Sequence, residues 1–331
     1  MKPYLFKSLA MMAGFALLIG CGSKSDTKDP QTSAISGIVV DNVAAPTKLY
    51  YSDYIANTLK SVAIAGGTPT SMTHASAAFN GPVGLVLSDT SLLVVDSTNH
   101  AIRQVNVASP YTTTTWIGTV GTSGSDNTAG TFNLPRNAVM DTAGNLYVTD
   151  SGNDAVRMIT PGKVVSTIVT GLKNPWGIAI DNATPQNLYV TDIGSNSIKK
   201  LTQTGGSWTV SVFAGNTSGT PGLPANANGT AAYFNYPLGI ATDNSFLYVV
   251  DTGNNAIRRI DLTTKDVTLM AGSSTGEAGS AVNATGALAT FSEPYAVTYA
   301  NGALYVADQS ATVIRKVSTT APYGVSAFAL N

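Results

Sequence analysis

One short apolar string ending in aspartate recurs along the chain. It reads Leu92-Leu93-Val94-Val95-Asp96, Leu146-Tyr147-Val148-Thr149-Asp150, Leu188-Tyr189-Val190-Thr191-Asp192, Leu247-Tyr248-Val249-Val250-Asp251 and Leu304-Tyr305-Val306-Ala307-Asp308, with a looser copy at Leu49-Tyr50-Tyr51-Ser52-Asp53. In every copy a basic residue stands seven positions after the aspartate: Lys60, Arg103, Arg157, Lys199, Arg258 and Arg315. Successive aspartates lie 42 to 59 residues apart, a spacing typical of repeat architectures. Three more strands surround each string. The first follows a proline, as in Pro175-Trp176-Gly177-Ile178-Ala179-Ile180-Asp181 and Pro237-Leu238-Gly239-Ile240-Ala241-Thr242-Asp243. The string itself is the second, Ile257-Arg258-Arg259-Ile260 exemplifies the third, and Val267-Thr268-Leu269-Met270-Ala271-Gly272 the fourth. Each run is too short for a helix and is bounded by turn formers. Four antiparallel strands repeated six times predict an all-β, six-bladed β-propeller.

The Pro-x-Gly-Ile-Ala-x-Asp, Leu-Tyr-Val-x-Asp and Ile-Arg-Arg-Ile strings resemble NHL repeats over residues 36–331. That resemblance implies a propeller fold. It leaves activity open, because the family includes binding modules and related propellers include metal-dependent lyases and lactonases. Blade one departs most, since Ser36-Gly37-Ile38-Val39-Val40-Asp41 lacks the leading proline. The repeat begins at a first strand and ends at a fourth, so the ring is expected to close by packing of blades one and six.

Composition agrees with this assignment. Charged residues are 11% of the chain against the usual ~25%, so Thr, Ser, Asn and Gly must supply the polar surface. Long surface helices, which carry Glu, Lys and Arg, are not expected after the leader. Net charge is -1 and no basic run occurs, so nucleic acid is not an expected partner. Residues 1–20 read as an export signal: Lys2 and Lys7 precede an apolar run from Leu9 to Ile19. That run is short for a transmembrane helix. The only cysteine, Cys21, closes the string Leu18-Ile19-Gly20-Cys21, which resembles a bacterial lipobox apart from the bulky Ile19. The resemblance implies a lipidated N-terminus at Cys21, residues 21–35 as a polar tether, and an exported protein held at the cell envelope by lipid alone. Gly22 follows the cysteine where an aspartate would signal inner-membrane retention, so the outer membrane is the expected site.

A residue repeated in all six blades serves a need that all six share, so the aspartates are expected to accept backbone N–H bonds after strand two. The basic residues are expected to neutralise them. Asp150-Ser151-Gly152-Asn153-Asp154 resembles the start of a calcium loop but lacks its later glutamate, and is read as a turn. Residues that break the repeat are more informative. Long variable segments (66–81, 118–134, 215–236 and 272–293) all join a fourth strand to the next first strand, and therefore share one face with the strand two to three turns. Where they enter, the position after the proline holds Ser36, Val83, Arg136, Trp176, Leu238 and Tyr295 around the ring. The position before it holds Gly81, Leu134, Asn174, Tyr236 and Glu293. Arg136, Trp176, Tyr236, Glu293 and Tyr295 could form an amphipathic ligand cup, with aromatic faces and one charge of each sign. Alternatively, Trp176, Leu238 and Tyr295 plug the channel mouth by packing together.

Little points to catalysis. His74 and His100 are the only histidines, and His100 shares its turn position with Asn57, Asp154, Asn196, Asn255 and Thr312. Two histidines cannot build a three-histidine zinc site, and no Gly-x-Ser-x-Gly elbow or phosphate-binding loop occurs. The expectation is a monomeric, non-catalytic binding or scaffolding module with no metal or cofactor, holding an envelope protein, peptide or glycan on its loop-rich face. The alternative is a gluconolactonase-like metal-dependent hydrolase or lyase, for which Glu293, Asn174 and Asn137 are the off-repeat candidates.

Overall fold

The computed structural model describes residues 34–41, 44–72, 78–88, 90–223, 225–308 and 313–330. The leader, Cys21, His74 and Thr312 lie outside them. Among the described residues there is no α-helix, only short 3-10 turns and strands. The strands form six antiparallel sheets, each taken from one contiguous stretch of chain, which together make a six-bladed propeller. Blade five runs Pro237–Thr242, Phe246–Asp251, Ala256–Asp261 and Asp266–Gly272, with the connector strand Ala227–Asn228 added at its outer edge. Second strands are buried throughout, because each blade is sandwiched between two neighbours and both faces are covered. Accordingly the apolar clusters lie between blades: one joins Tyr189 and Phe213 of blade four to Leu247 and Val249 of blade five.

The recurring aspartates have less than 2% exposure and bind both the connectors and the turns. In blades two to six their Oδ1 atoms accept the N–H of the second residue before the proline: Asn80, Asn133, Lys173, Asn235 and Ser292. This corrects the expected location of those donors. From the turn that follows strand two, Asp53 accepts the N–H of Ala56, while the carboxylates of Asp96, Asp150, Asp192 and Asp251 accept side-chain bonds from Asn99, Asn153, Ser195 and Asn254. Ala34 supplies the matching donor to Asp53 in blade one, so Ala34 and Ile35, assigned above to the tether, belong to the propeller.

Five ion pairs then join the aspartates of blades two to six to the basic residue seven positions on, at 3.1 Å (Arg103), 2.9 Å (Arg157), 3.6 Å (Lys199), 3.3 Å (Arg258) and 2.7 Å (Arg315). Four of these arginines also cover a phenylalanine three residues before the proline, with 5.4–5.6 Å from guanidinium carbon to ring centroid: Phe79, Phe132, Phe234 and Phe291. Blade four carries Lys199 with Leu172 at these two positions, so cation and ring change together. Burial pushes the carboxyls of Asp251 and Asp308 up to about 6, against the pull of their arginines.

Hydroxyl groups stitch successive blades near the axis. Ser52 donates to the carbonyl of Val83 at 2.7 Å, Thr149 to that of Trp176 at 2.6 Å and Thr191 to that of Leu238 at 2.7 Å. Such close approach needs glycine on the first strand: a Cβ on Gly177 would stand 2.3 Å from the Leu238 oxygen. The ring closes as expected, with Ile35–Val40 packed beside both Pro82–Ser88 and Pro294–Ala300. Farther out, Gly67 donates its N–H to the carbonyl of Ala329. Among the described residues no sheet mixes strands from the two ends of the chain.

Candidate functional site

The connectors and the strand two to three turns do share one face, since they bond to each other. Gly152, Gly194 and Gly253 in the turns donate to the carbonyls of Asn133, Lys173 and Asn235 in the connectors. The connectors are anchored pads rather than free spacers. Arg157 reaches Asn127 at 2.6 Å, and Arg258 reaches the Ala225 carbonyl at 2.7 Å.

A second ring of bonds fixes the residues over the axis. In blades one to five the strand two to three turn ends in a left-handed residue whose side chain accepts the N–H of the pre-proline residue in the next blade. Asn57 accepts from Gly81 (2.7 Å), His100 from Leu134 (3.0 Å), Asp154 from Asn174 (2.8 Å), Asn196 from Tyr236 (2.9 Å) and Asn255 from Glu293 (2.9 Å). The pre-proline residues are themselves left-handed, with φ of +63° at Gly81, +47° at Leu134, +59° at Tyr236 and +55° at Glu293. Glycine adopts this conformation freely, whereas tyrosine or glutamate holds it at a cost of about 1–3 kcal/mol. The ring of acceptors imposes it.

At the mouth, Trp176 of blade four meets Tyr295 of blade six edge to face, with centroids 5.7 Å apart. Both are less than 10% exposed. The guanidinium of Arg136 in blade three lies 4.2 Å from the Trp176 ring centroid. Tyr236 and Tyr54 complete the group, close enough to Tyr295 to interact with it electrostatically. Burial raises the pKa of the Tyr236 and Tyr295 phenols, and the positive charge of Arg136 opposes the shift in both. Of the five candidate cup residues, the structure therefore brings together Arg136, Trp176, Tyr236 and Tyr295. Glu293 stands where its charge raises the Asp308 carboxyl. Trp176 packs on Tyr295, as the aromatic part of the plug expects, and Arg136 lies over the Trp176 ring.

Blades three, four and six thus contribute to one packed group of side chains. Neither the protein-family models nor the curated protein sequences contain a match to the chain. Solved structures do. Virginiamycin B lyase from Staphylococcus aureus superposes with a TM-score of 0.58 at 16% identity, covering 91% of this chain and 86% of that one. An auxiliary nutrient binding protein from Bacteroides ovatus gives 0.69 at 16% identity, with 89% and 69% covered. A putative gluconolactonase gives 0.59 at 13% identity, with 90% and 91% covered. At such identities the likeness shows the fold and no more.

The remaining candidates have structural occupations. Nδ1 of His100 is the acceptor for Leu134, which leaves the proton on Nε2, and burial lowers its pKa. Asn137 Oδ1 accepts the N–H of Ala138, and Asp154 ends a 3-10 turn and holds Asn174. Among the described residues no cluster of three or more His, Cys, Asp and Glu side chains is arranged to hold a metal ion. No helix among them is long and apolar enough to cross a membrane. Tyr54 was missed from sequence. It follows Asp53 where Ser97, Ser151, Ile193 and Thr252 stand in other blades, so it breaks the repeat as visibly as Arg136 does.

Proposed function

We propose that this protein is an exported, lipid-anchored binding module whose ligand rests on the connector face over the propeller axis. The observation that carries the reading is the covered mouth: Trp176 packs on Tyr295 while Arg136 lies on Trp176. An axial channel sealed by aromatic packing offers a recognition surface rather than a reaction chamber. Support for export and anchoring comes from the Lys2, Lys7 and Leu9–Ile19 leader and its junction at Cys21, and the NHL-like strings support assignment to that repeat class. The fold also occurs in a protein described as nutrient binding, and in a lyase and a putative gluconolactonase, so fold alone permits either class. The hydrolase or lyase reading has less support, because an aromatic pair stands where an open axial carboxylate is required.

The test is photocrosslinking in intact cells with a benzophenone amino acid at Tyr236, on the connector face, or at Asn301, in the opposite-face hairpin of blade six. Adducts from position 236 and none from 301 are expected. Adducts only from 301 would contradict the assignment of the face.

A further inference from the structure

Arg136 differs from the arginines of the repeat. Nε is shielded and unpaired in Arg103, Arg157 and Arg258 as well, but in each of those a terminal nitrogen binds an aspartate. Arg136 Nε is likewise shielded and unpaired, and the only contact shown for its guanidinium is the Trp176 ring. The residue is half-buried, and among the described residues no carboxylate forms an ion pair with it. Its field nonetheless reaches His100, Tyr236 and Tyr295, three groups spread around the mouth. A guanidinium packed on an indole has its face occupied and its in-plane N–H groups left over, the arrangement that suits a planar, two-oxygen acceptor.

Tyr236 supplies a second, independent sign. It occupies a left-handed position that glycine fills in blade two and that Leu134, Asn174 and Glu293 fill in other blades, and it alone among these brings an aromatic ring into the field of both Arg136 and Tyr295. The connector that leads to it, 215–236, has no charged residue and is rich in hydroxyl and amide groups, as in Asn216-Thr217-Ser218-Gly219-Thr220, a composition that suits sugar hydroxyls better than a charged peptide.

We infer that Arg136 is the anchor for a carboxylate carried on a sugar ring, so that the ligand of this mouth is a uronate-type acidic glycan. The carboxylate pairs with the Arg136 edge and the ring lies against Tyr236. This inference rests on the binding-module reading and narrows it to one ligand class.

Full-length protein in detergent is titrated calorimetrically with a glucuronate-containing tetrasaccharide, its carboxyl-reduced counterpart, and a tetrapeptide with a free C-terminus. The acidic sugar should bind at least ~10-fold more tightly than the reduced one, with an affinity that falls as salt rises. Arg136→Met should remove that preference and Arg136→Lys should retain part of it. Tyr236→Gly should weaken the acidic sugar at least ~10-fold while the melting temperature stays equal or rises, an outcome that a purely structural tyrosine would not give. Equal binding of the two sugars, an Arg136→Met protein that still discriminates, or tighter binding of the peptide would overturn the proposal. If the acidic sugar does not bind but position 236 still crosslinks in cells, the glycan proposal fails and the binding module stands; if both are negative, both fail.

Discussion

The N–H of Leu134 in blade three donates to Nδ1 of His100 in blade two, 3.0 Å away. Asparagine or aspartate performs the same task between the other blades, because Oδ1 of those residues and Nδ1 of histidine lie the same number of bonds from the backbone. The histidine adds a pH dependence that the others lack. Its folded-state pKa is depressed by burial, so below about 6.5 the unfolded chain binds a proton that the folded protein refuses. Stability is therefore lost as pH falls from 6.5 toward the folded value. Asp251 and Asp308 act oppositely: their folded pKa of about 6 exceeds the unfolded 3.8, so their contribution is fully present below 3.8 and is lost as pH rises through 6. A comparison with His100→Asn cancels the aspartates. The drop in melting temperature between pH 7.5 and 5.5 should be larger in the natural protein than in His100→Asn.

Arg258 is fully buried against Asp251 and Phe234. Arg258→Ala leaves a buried carboxylate without its partner and should cost about 3–5 kcal/mol in denaturant unfolding. Arg258→Lys and Phe234→Leu recreate the pair of blade four. Their combined cost should be less than the sum of the single costs by roughly 0.5–2 kcal/mol, since each alone removes the cation-ring contact.

Gly177 stands where the first strands of blades four and five approach most closely. Gly177→Ala drives a Cβ against the Leu238 carbonyl and should destabilise by about 1–3 kcal/mol or more. An unchanged midpoint would mean that the first strands are not packed as described.

Thr149 joins blade three to blade four at the mouth, donating to the Trp176 carbonyl and accepting the N–H of Asn137 at 3.0 Å. Thr149→Val preserves shape but leaves that N–H without an acceptor, at a cost of about 1–3 kcal/mol. The fluorescence of Trp176, read with Trp116 and Trp208 replaced by phenylalanine, should shift to the red as its backbone loosens.

The blades were legible in the sequence because a propeller repeats one physical problem six times, and Leu-Tyr-Val-x-Asp answers it in nearly identical residues. The ion pairs followed from the fixed spacing of seven. Arg136, Trp176 and Tyr295 were legible because they depart from that regularity. Phe79, Phe132, Phe234 and Phe291 were overlooked even though Phe-Asn-x-Pro or Phe-Ser-Glu-Pro precedes each of these first strands. They belong to connectors whose lengths differ, which hides the alignment. The ring of blade-to-blade acceptors was less visible still, since Asn, Asp and His share an acceptor position but not a residue type. Glu293 looked like a cup residue from its place before the proline, yet only three-dimensional placement relates it to Asp308.

On the binding-module reading, packing of Trp176, Tyr295 and Arg136 completes the mouth without a bound metal. Thermal unfolding of the full-length protein, first in chelator and then in millimolar calcium or zinc, tests it most directly. The midpoint should stay constant across the series. A metal-dependent rise that Glu293→Gln abolishes would contradict it and restore the metal-dependent enzyme.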